Sequence, residues 1–466
     1  MKWTFSKKDL EKVKYQWENK KERIDFWREY SLKDYRSSEL DKINNFLNAL
    51  ESLEKNIFSL DSQIINCEEF FFQLNNGNYH FSPFEVVYFL DKYYIKSRIA
   101  FQINKNNPSR FQKKFLDLLV CKLVANKLKI LLHEDSKKQR NQAVLEFIKK
   151  LRQVIKYNSR IAFLKGDFRS YTQNIPRDSL ISHLKAKEVP PHIIKLIKSY
   201  LDAGTYVSKN INNNLLNIFF KKLGFGKFYE EDTDFRVILN KSGIMAGIPI
   251  SNVLGNIFLL DFDKQIKEYL NGEGFYTRYF DDFIIAAEEN KIKEIKKNIP
   301  KILFFYYPFN YKTIEDKIIR LETTTISDFL GYLIKIDSKN RDIFVTVRYK
   351  TLKKFIYKYL YEYNISKKYK KNISKFLIGK CVYLTTWIYS FLCINDTNLL
   401  DLLYTKIILP DLYRILQYNS TEVKKLKQYY KPVIIYRQLL KNRDKNNSLK
   451  ERINYIKENI KEQLKK

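Results

Sequence analysis

Three aspartates in this chain stand where side-chain oxygens could gather divalent cations. Asp281 and Asp282 lie side by side in "FYTRYFDDFIIAAE" (275–288), between two runs of β-branched and aromatic residues, where a strand pair is expected to turn. Asp167 closes the apolar run "AFLKGDF" (162–168). Phosphoryl transfer from a nucleoside triphosphate uses two divalent cations about 3.5–4 Å apart, one activating the attacking hydroxyl and one holding the leaving phosphates. Hard oxygen donors from more than one element hold such ions. Paired aspartates at a hairpin tip supply one side of that cage, and Asp167 on an adjacent strand supplies the other. Taken alone, "YFDD" (279–282) also fits a solvated hairpin tip, so the surrounding elements must decide.

The elements that would position these residues follow from periodicity. Residues 1 to about 75 read as helices, with apolar positions three and four apart in "DLEKVKYQWENKKERIDFWREY" (9–30) and "LDKINNFLNALESLEKNIFSL" (40–60). "EVVYFLDKYYIKSRIAFQI" (85–103) is β-like, "NKNNPS" (104–109) is a turn, and "FQKKFLDLLVCKLVANKLKILL" (111–132) is a helix. Residues 141–157 are helical, "RIAFLKGDF" (160–168) is a strand, and Pro176 with Asp178 opens a helix. Residues 207–240 are polar and irregular and read as an insertion. An apolar loop and helix (242–260), the Asp281–Asp282 hairpin, the charged helix "EENKIKEIKKNIPKIL" (288–303) and short strands in "SDFLGYLIKIDSKNRDIFVTV" (327–347) follow. From Tyr349 onward the chain is rich in Lys, Tyr and Leu at helical spacing, and includes "KKYKK" (367–371).

The 466 residues suffice for two to four structural units, and 45% hydrophobic with 15% aromatic content excludes a wholly disordered chain. A formal charge of +33, with lysines spread from end to end, points to a long polyanion as partner. An AT-rich coding sequence would raise Lys, Asn, Ile and Tyr as well. Cys67, Cys121, Cys381 and Cys393 are too far apart for paired metal ligands, so neither a zinc site nor a disulfide framework is expected. "MKWTFSKKDLEKVKYQW" (1–17) has no apolar leader run, and the expected location is cytoplasmic. The uncharged "SGIMAGIPISNVLGNIFLL" (242–260) contains Pro249 among Gly, Ser and Asn, which fits a buried loop and core helix better than a membrane span.

Four stretches in order carry a resemblance. "GDFRSYTQNI" (166–175), "AGIPISNVLGNIFLLDFD" (246–263) and "YFDD" (279–282) resemble the first three catalytic motifs of reverse transcriptases, and "FLGY" (329–332) resembles the primer-grip hairpin. The chain resembles that family over roughly 84–340, and within it the bacterial branch of retron, group II intron and defence-associated, abortive-infection enzymes. The resemblance implies an α+β right-hand polymerase: an N-terminal helical extension (1–80), fingers (81–160), a palm of antiparallel sheet and helices (161–345) with an insertion near 207–240, and a helical thumb and RNA-binding region (346–466). It implies Mg2+, with Mn2+ as the alternative, held by Asp167, Asp281 and Asp282.

Other roles are also carried over from the resemblance. Gly247 and Pro249 would shape a loop against the incoming base pair, with Ser251 and Asn256 bracing the helix behind it. Lys96 and Arg98 would meet the triphosphate. Lys317, or else Lys312, would be the acid to the leaving pyrophosphate. Phe329, Leu330, Gly331 and Tyr332 would form the primer grip. Two departures stand out: Ala246 replaces the usual glutamine before Gly247, and Thr172 stands where an aromatic usually blocks a ribose 2′-hydroxyl. Tyr171 is then expected to fill that space beneath the nucleotide sugar. The implied activity is RNA-directed DNA synthesis on a dedicated noncoding RNA from dNTPs, in antiphage defence, with a DNA product and no membrane. A second copy or a partner protein is compatible with it. The rival readings are a template-independent or protein-primed polymerase, a decayed RNA-binding protein, and an RNA-dependent RNA polymerase.

Overall fold

The structure, a computed structural model, describes residues 3–30, 35–60, 63–91, 94–99, 108–133, 140–157, 160–168, 171–208, 225–230, 235–240, 243–306 without 246, 319–337 without 325, 342–357, 394–403, and 359, 383, 387 and 391. Helices α1 (Lys7–Tyr30) and α2 (Tyr35–Glu54) open the chain. The helical expectation then fails locally. Asn56 takes a left-handed φ of +56°, which stops the helix, and the β-branched and aromatic residues after it form a hairpin of β1 (Phe58–Leu60) and β2 (Gln63–Ile65). In α3 (Cys67–Asn76) the Asn66 side chain accepts the Glu68 N–H, and Gly77 closes the other end at φ +70°.

Strands β3 (Phe84–Asp91) and β4 (Tyr94–Ile99) pair antiparallel. Helix α4 (Pro108–Leu128) buries Phe115, Leu116, Leu118, Leu119, Val120, Cys121, Leu123, Val124 and Ala125. A helix apolar on every side belongs inside, and α4 is the spine of the larger core. Helix α5 (Arg140–Tyr157) instead faces a second core through Val144, Phe147, Ile148, Leu151 and Ile155.

Strand β5 (Ile161–Phe168) leads into the short α6 (Tyr171–Asn174), then α7 (Arg177–Ala186), whose N-cap position is Pro176, and α8 (Pro191–Asp202). The stretch expected to be irregular contributes strands. β6 (Thr205–Ser208), β7 (Phe225–Glu230) and β8 (Phe235–Asn240) join β3 and β4 in a sheet of order β4-β3-β6-β8-β7, where neighbouring strands satisfy a backbone that the polar sequence leaves without a periodic signal.

Next come α9 (Pro249–Phe258), α10 (Leu260–Leu270), the hairpin β9 (Gly274–Tyr279) and β10 (Asp282–Glu288), and α11 (Glu289–Tyr306). Strand β11 (Ile319–Thr324) completes an antiparallel sheet of order β11-β5-β10-β9. A separate antiparallel sheet contains β12 (Ile326–Phe329), β13 (Tyr332–Asp337) and β14 (Asp342–Val347), followed by α12 (Tyr349–Tyr357) and α13 (Thr397–Leu403).

The four-stranded sheet is buried on both faces. From β5 and β10, Ala162, Leu164, Phe168, Phe283, Ile285 and Ala287 join the larger core. The alternate residues Ile161, Phe163, Ile284 and Ala286 join the second core, with α5 and the β12–β14 sheet. Period-two alternation therefore sorts each strand between two cores, and the sequence reads as an unbroken apolar run. The architecture is the α+β right-hand polymerase fold, with this sheet as its palm. Among the described residues no helix is long and apolar enough to cross a membrane.

Candidate active site

The register of the palm sheet brings the aspartates together. Asp167 is paired directly with Asp282 across β5 and β10, and Tyr279 is paired with Asp282 across the hairpin, so Phe280 and Asp281 alone make the turn. The Phe168 N–H donates to the Asp281 carbonyl at 3.3 Å, tying the tip of the hairpin to the end of β5. Gly166, just before Asp167, faces Phe283, and a Cβ at that position would lie 2.0 Å from Cζ of the ring. The glycine lets the buried ring lie across β5 and keeps the two strands in register at the carboxylates.

All three carboxylates are half-buried. Burial, with the nearby charges of Asp282 and Asp167, pushes the Asp281 carboxyl up to about 6. Burial and Asp167 likewise raise Asp282, while Lys165 opposes them. Hard oxygen donors under mutual repulsion suit a small divalent cation. Among the described residues there is no ready-made group of three or more acidic, His or Cys side chains for a metal ion, while the sheet register sets these carboxylates at one end of the sheet.

The tip is held from behind. Phe280 has a left-handed φ of +61° at the first position of a two-residue turn, where a bulky side chain is disfavoured. Arg278, buried in β9, donates from Nη1 to the Phe280 carbonyl at 2.7 Å and to Asn256 Oδ1 at 2.9 Å. Its Nε and Nη2 grip both oxygens of buried Asp263 at 2.7 and 2.6 Å. Tyr276 also donates to Asp263. The sequence reading missed Arg278 and Asp263. The one available signal was a charge within an otherwise apolar hairpin strand, and its partner lies fifteen residues away on another element.

The loop before α9 is tied to α6. Ile244 N–H donates to the Thr172 carbonyl at 2.7 Å and Gly243 N–H to Ile175 at 2.9 Å. Ser251, fully buried, donates to the Met245 carbonyl and meets Tyr200 Oη at 2.8 Å. Gly247 is exposed with φ +92°, and Pro249 is at the first turn of α9. Ala246 lies outside the described residues.

Tyr171 is a correction. It is only 6% exposed, its hydroxyl donates to the Gly255 carbonyl at 2.5 Å, and its ring meets Phe280 edge-on at 5.4 Å. A ring so anchored braces the hairpin tip from the core and does not fill the space beneath a nucleotide sugar. Thr172 beside it is half-buried.

The expected primer-grip residues divide. Leu330 and Gly331 form the turn of β12 and β13 with φ +49° and +87°, the type I′ pattern. Phe329 and Tyr332 are 1% and 0% exposed within the second core, which corrects the expectation that their side chains grip a primer. Sequence alone does not separate an anchor from a contact residue in four consecutive positions. Asp328 links this hairpin to the palm: Lys165 donates to its Oδ1 at 2.8 Å and Arg348 to its Oδ2 at 2.6 Å. Burial would raise the Asp328 carboxyl, but these two cations hold it below the ordinary value.

Lys96 and Arg98 lie on β4, paired with Phe89 and Val87, and their side chains lie outside the described residues. Lys312, Lys317 and the basic run 367–371 also lie outside them.

Residues 107–334 match the family described as Reverse transcriptase (RNA-dependent DNA polymerase). That stretch is just under half of the chain. It contains all three aspartates, the Arg278 network and the loop before α9. Among solved structures, the chain is similar to the apo telomerase of Candida tropicalis truncated from its C-terminal domain, at 13% identity and TM-score 0.40, over 57% of this chain and 55% of that one. It is also similar to the telomerase of Candida albicans in complex with a TWJ fragment of telomeric RNA, at 14% identity and TM-score 0.39, over 82% of this chain and 67% of that one. The first match thus spans little more than half the length of that telomerase. No curated protein matches the chain.

Proposed function

We propose that this protein is an RNA-directed DNA polymerase that joins dNTPs on an RNA template. The observation that supports this reading is the direct pairing of Asp167 with Asp282, beside Asp281 in a two-residue turn, inside the stretch that matches the reverse transcriptase family. Asp167, Asp281 and Asp282 would hold Mg2+ or Mn2+, and the bound ions would activate a primer hydroxyl and neutralise the leaving phosphates. Gly247, exposed and without a side chain, leaves room for the nascent base pair, and Thr172 stands nearest the sugar. The half-buried Leu330–Gly331 turn is the part of the primer-grip hairpin that would meet a primer strand. Fingers over 81–160, a palm over 161–345 and a thumb beyond them are the matching division, with Lys96, Arg98 and Lys317 on the triphosphate.

The finer reading is a bacterial defence enzyme working on a dedicated noncoding RNA. It draws support from the departures at Ala246 and Thr172, which relax the nucleotide site relative to copying enzymes of the family, and from the +33 charge. The test is dTTP incorporation on an oligo(dT)-primed poly(rA) template with Mg2+ or Mn2+. Wild type should extend the primer, and Asp281→Asn or Asp167→Asn should lower the rate by at least about 10^3-fold while leaving RNA binding intact. Full activity in either variant overturns the metal assignment, and extension that is indifferent to template favours the template-independent alternative.

A further inference from the structure

We propose that Arg278 is a positioning residue for polymerisation, clamping the strained turn that presents Asp281. The inference rests on the polymerase reading for its kinetic consequence and on the geometry for the clamp itself. Phe280 holds a backbone conformation that its side chain disfavours, so neighbours must enforce it. They hold it at two points. The carbonyl of Phe280 accepts from Arg278 Nη1 at 2.7 Å. The ring of Phe280 fits edge-on against Tyr171 over Gly255, where an added Cβ would come within 2.9 Å of it.

The clamp is rigid because each nitrogen of the guanidinium is engaged. Nε and Nη2 take the two oxygens of Asp263 on α10, and Nη1 is shared between Asn256 Oδ1 on α9 and the turn carbonyl. Arg278 and Asp263 side chains are 3% and 10% exposed, so water does not compete for these bonds. Two helices behind the palm are thereby coupled to the one backbone group that precedes Asp281. Lysine would keep the charge beside Asp263, but a single ammonium cannot grip two carboxylate oxygens and reach the turn in a fixed plane.

The experiment compares wild type, Arg278→Lys and Asn256→Ala by three measurements: kcat and KM for dTTP on primed poly(rA), thermal melting, and amide hydrogen exchange of peptides covering residues 165–170 and 276–283. Arg278→Lys should melt close to wild type, lose about 10–100-fold in kcat with KM within about twofold, and exchange faster at the Phe168 amide, which donates to Asp281. Asn256→Ala leaves the Arg278–Asp263 pair whole and should show the same pattern to a smaller degree, so it carries the test if Arg278→Lys fails to fold. Unchanged kcat and exchange in a folded variant overturn the clamp. Wild type without polymerase activity overturns the functional reading instead, and the exchange data still judge the clamp.

Discussion

At the scale of single residues, Asp281 gives a prediction with a definite sign. Its carboxyl is raised from 3.8 to about 6, so the folded protein binds that proton more tightly than the unfolded chain does. Without a divalent cation this contribution favours the fold at low pH and is lost as pH rises from about 4 to about 6. A metal ion needs the deprotonated carboxylate, so the gain in melting temperature on adding Mg2+ should be small near pH 5, grow through about pH 6 and level off above about 7. Asp281→Asn should flatten both trends, and an Mg2+ effect equal at pH 5 and pH 7 contradicts the assignment. The three aspartates were legible in sequence because apolar strand patterns flank them and fix where a hairpin must turn. Arg278 and Asp263 were not, since their pairing depends on how α10 packs behind β9. The role expected of Tyr171 failed for the same reason: an aromatic beside a catalytic turn reads alike whether its ring faces a ligand or the core.

At the scale of elements, the palm depends on the close contact of β5 and β10. Phe283 is fully buried and lies against Phe168, Phe262 and Tyr276, so it cannot yield to a new methyl group at residue 166. Gly166→Ala should destabilise the domain by about 1–3 kcal/mol in urea unfolding, and Phe283→Leu in the same chain should recover part of that loss. Wild-type stability in Gly166→Ala would mean that the strands separate more easily than their register suggests. The strands themselves were legible from their apolar runs, and α7 from Pro176. The β1–β2 hairpin and the strands β6 to β8 were not. One hangs on a left-handed Asn56, and the others on pairing with β3 far away in sequence.

At the scale of the whole molecule, the palm sheet separates two cores, and exposed cations follow it on α12. Lys350, Lys353 and Lys354 on α12 follow Arg348 directly, and Tyr349 and Tyr357 on the same helix are 75% and 58% exposed. Cations beside exposed rings suit a single strand or duplex end, through phosphate contact and stacking together. The net charge of +33 was plain from composition, but composition cannot separate a binding surface from a lysine-rich background. Salt dependence can. If about 6–10 phosphates are neutralised, RNA affinity should fall by about 10^3–10^5-fold between about 50 and 200 mM salt, because each contact releases condensed counterions. Replacing Lys350, Lys353 and Lys354 together by glutamine should reduce the slope of log affinity against log salt by up to about 3, whereas Tyr349→Ala should lower affinity and leave the slope unchanged. A flat salt titration of the wild type would assign the lysines to coding bias and leave stacking as the principal source of RNA affinity.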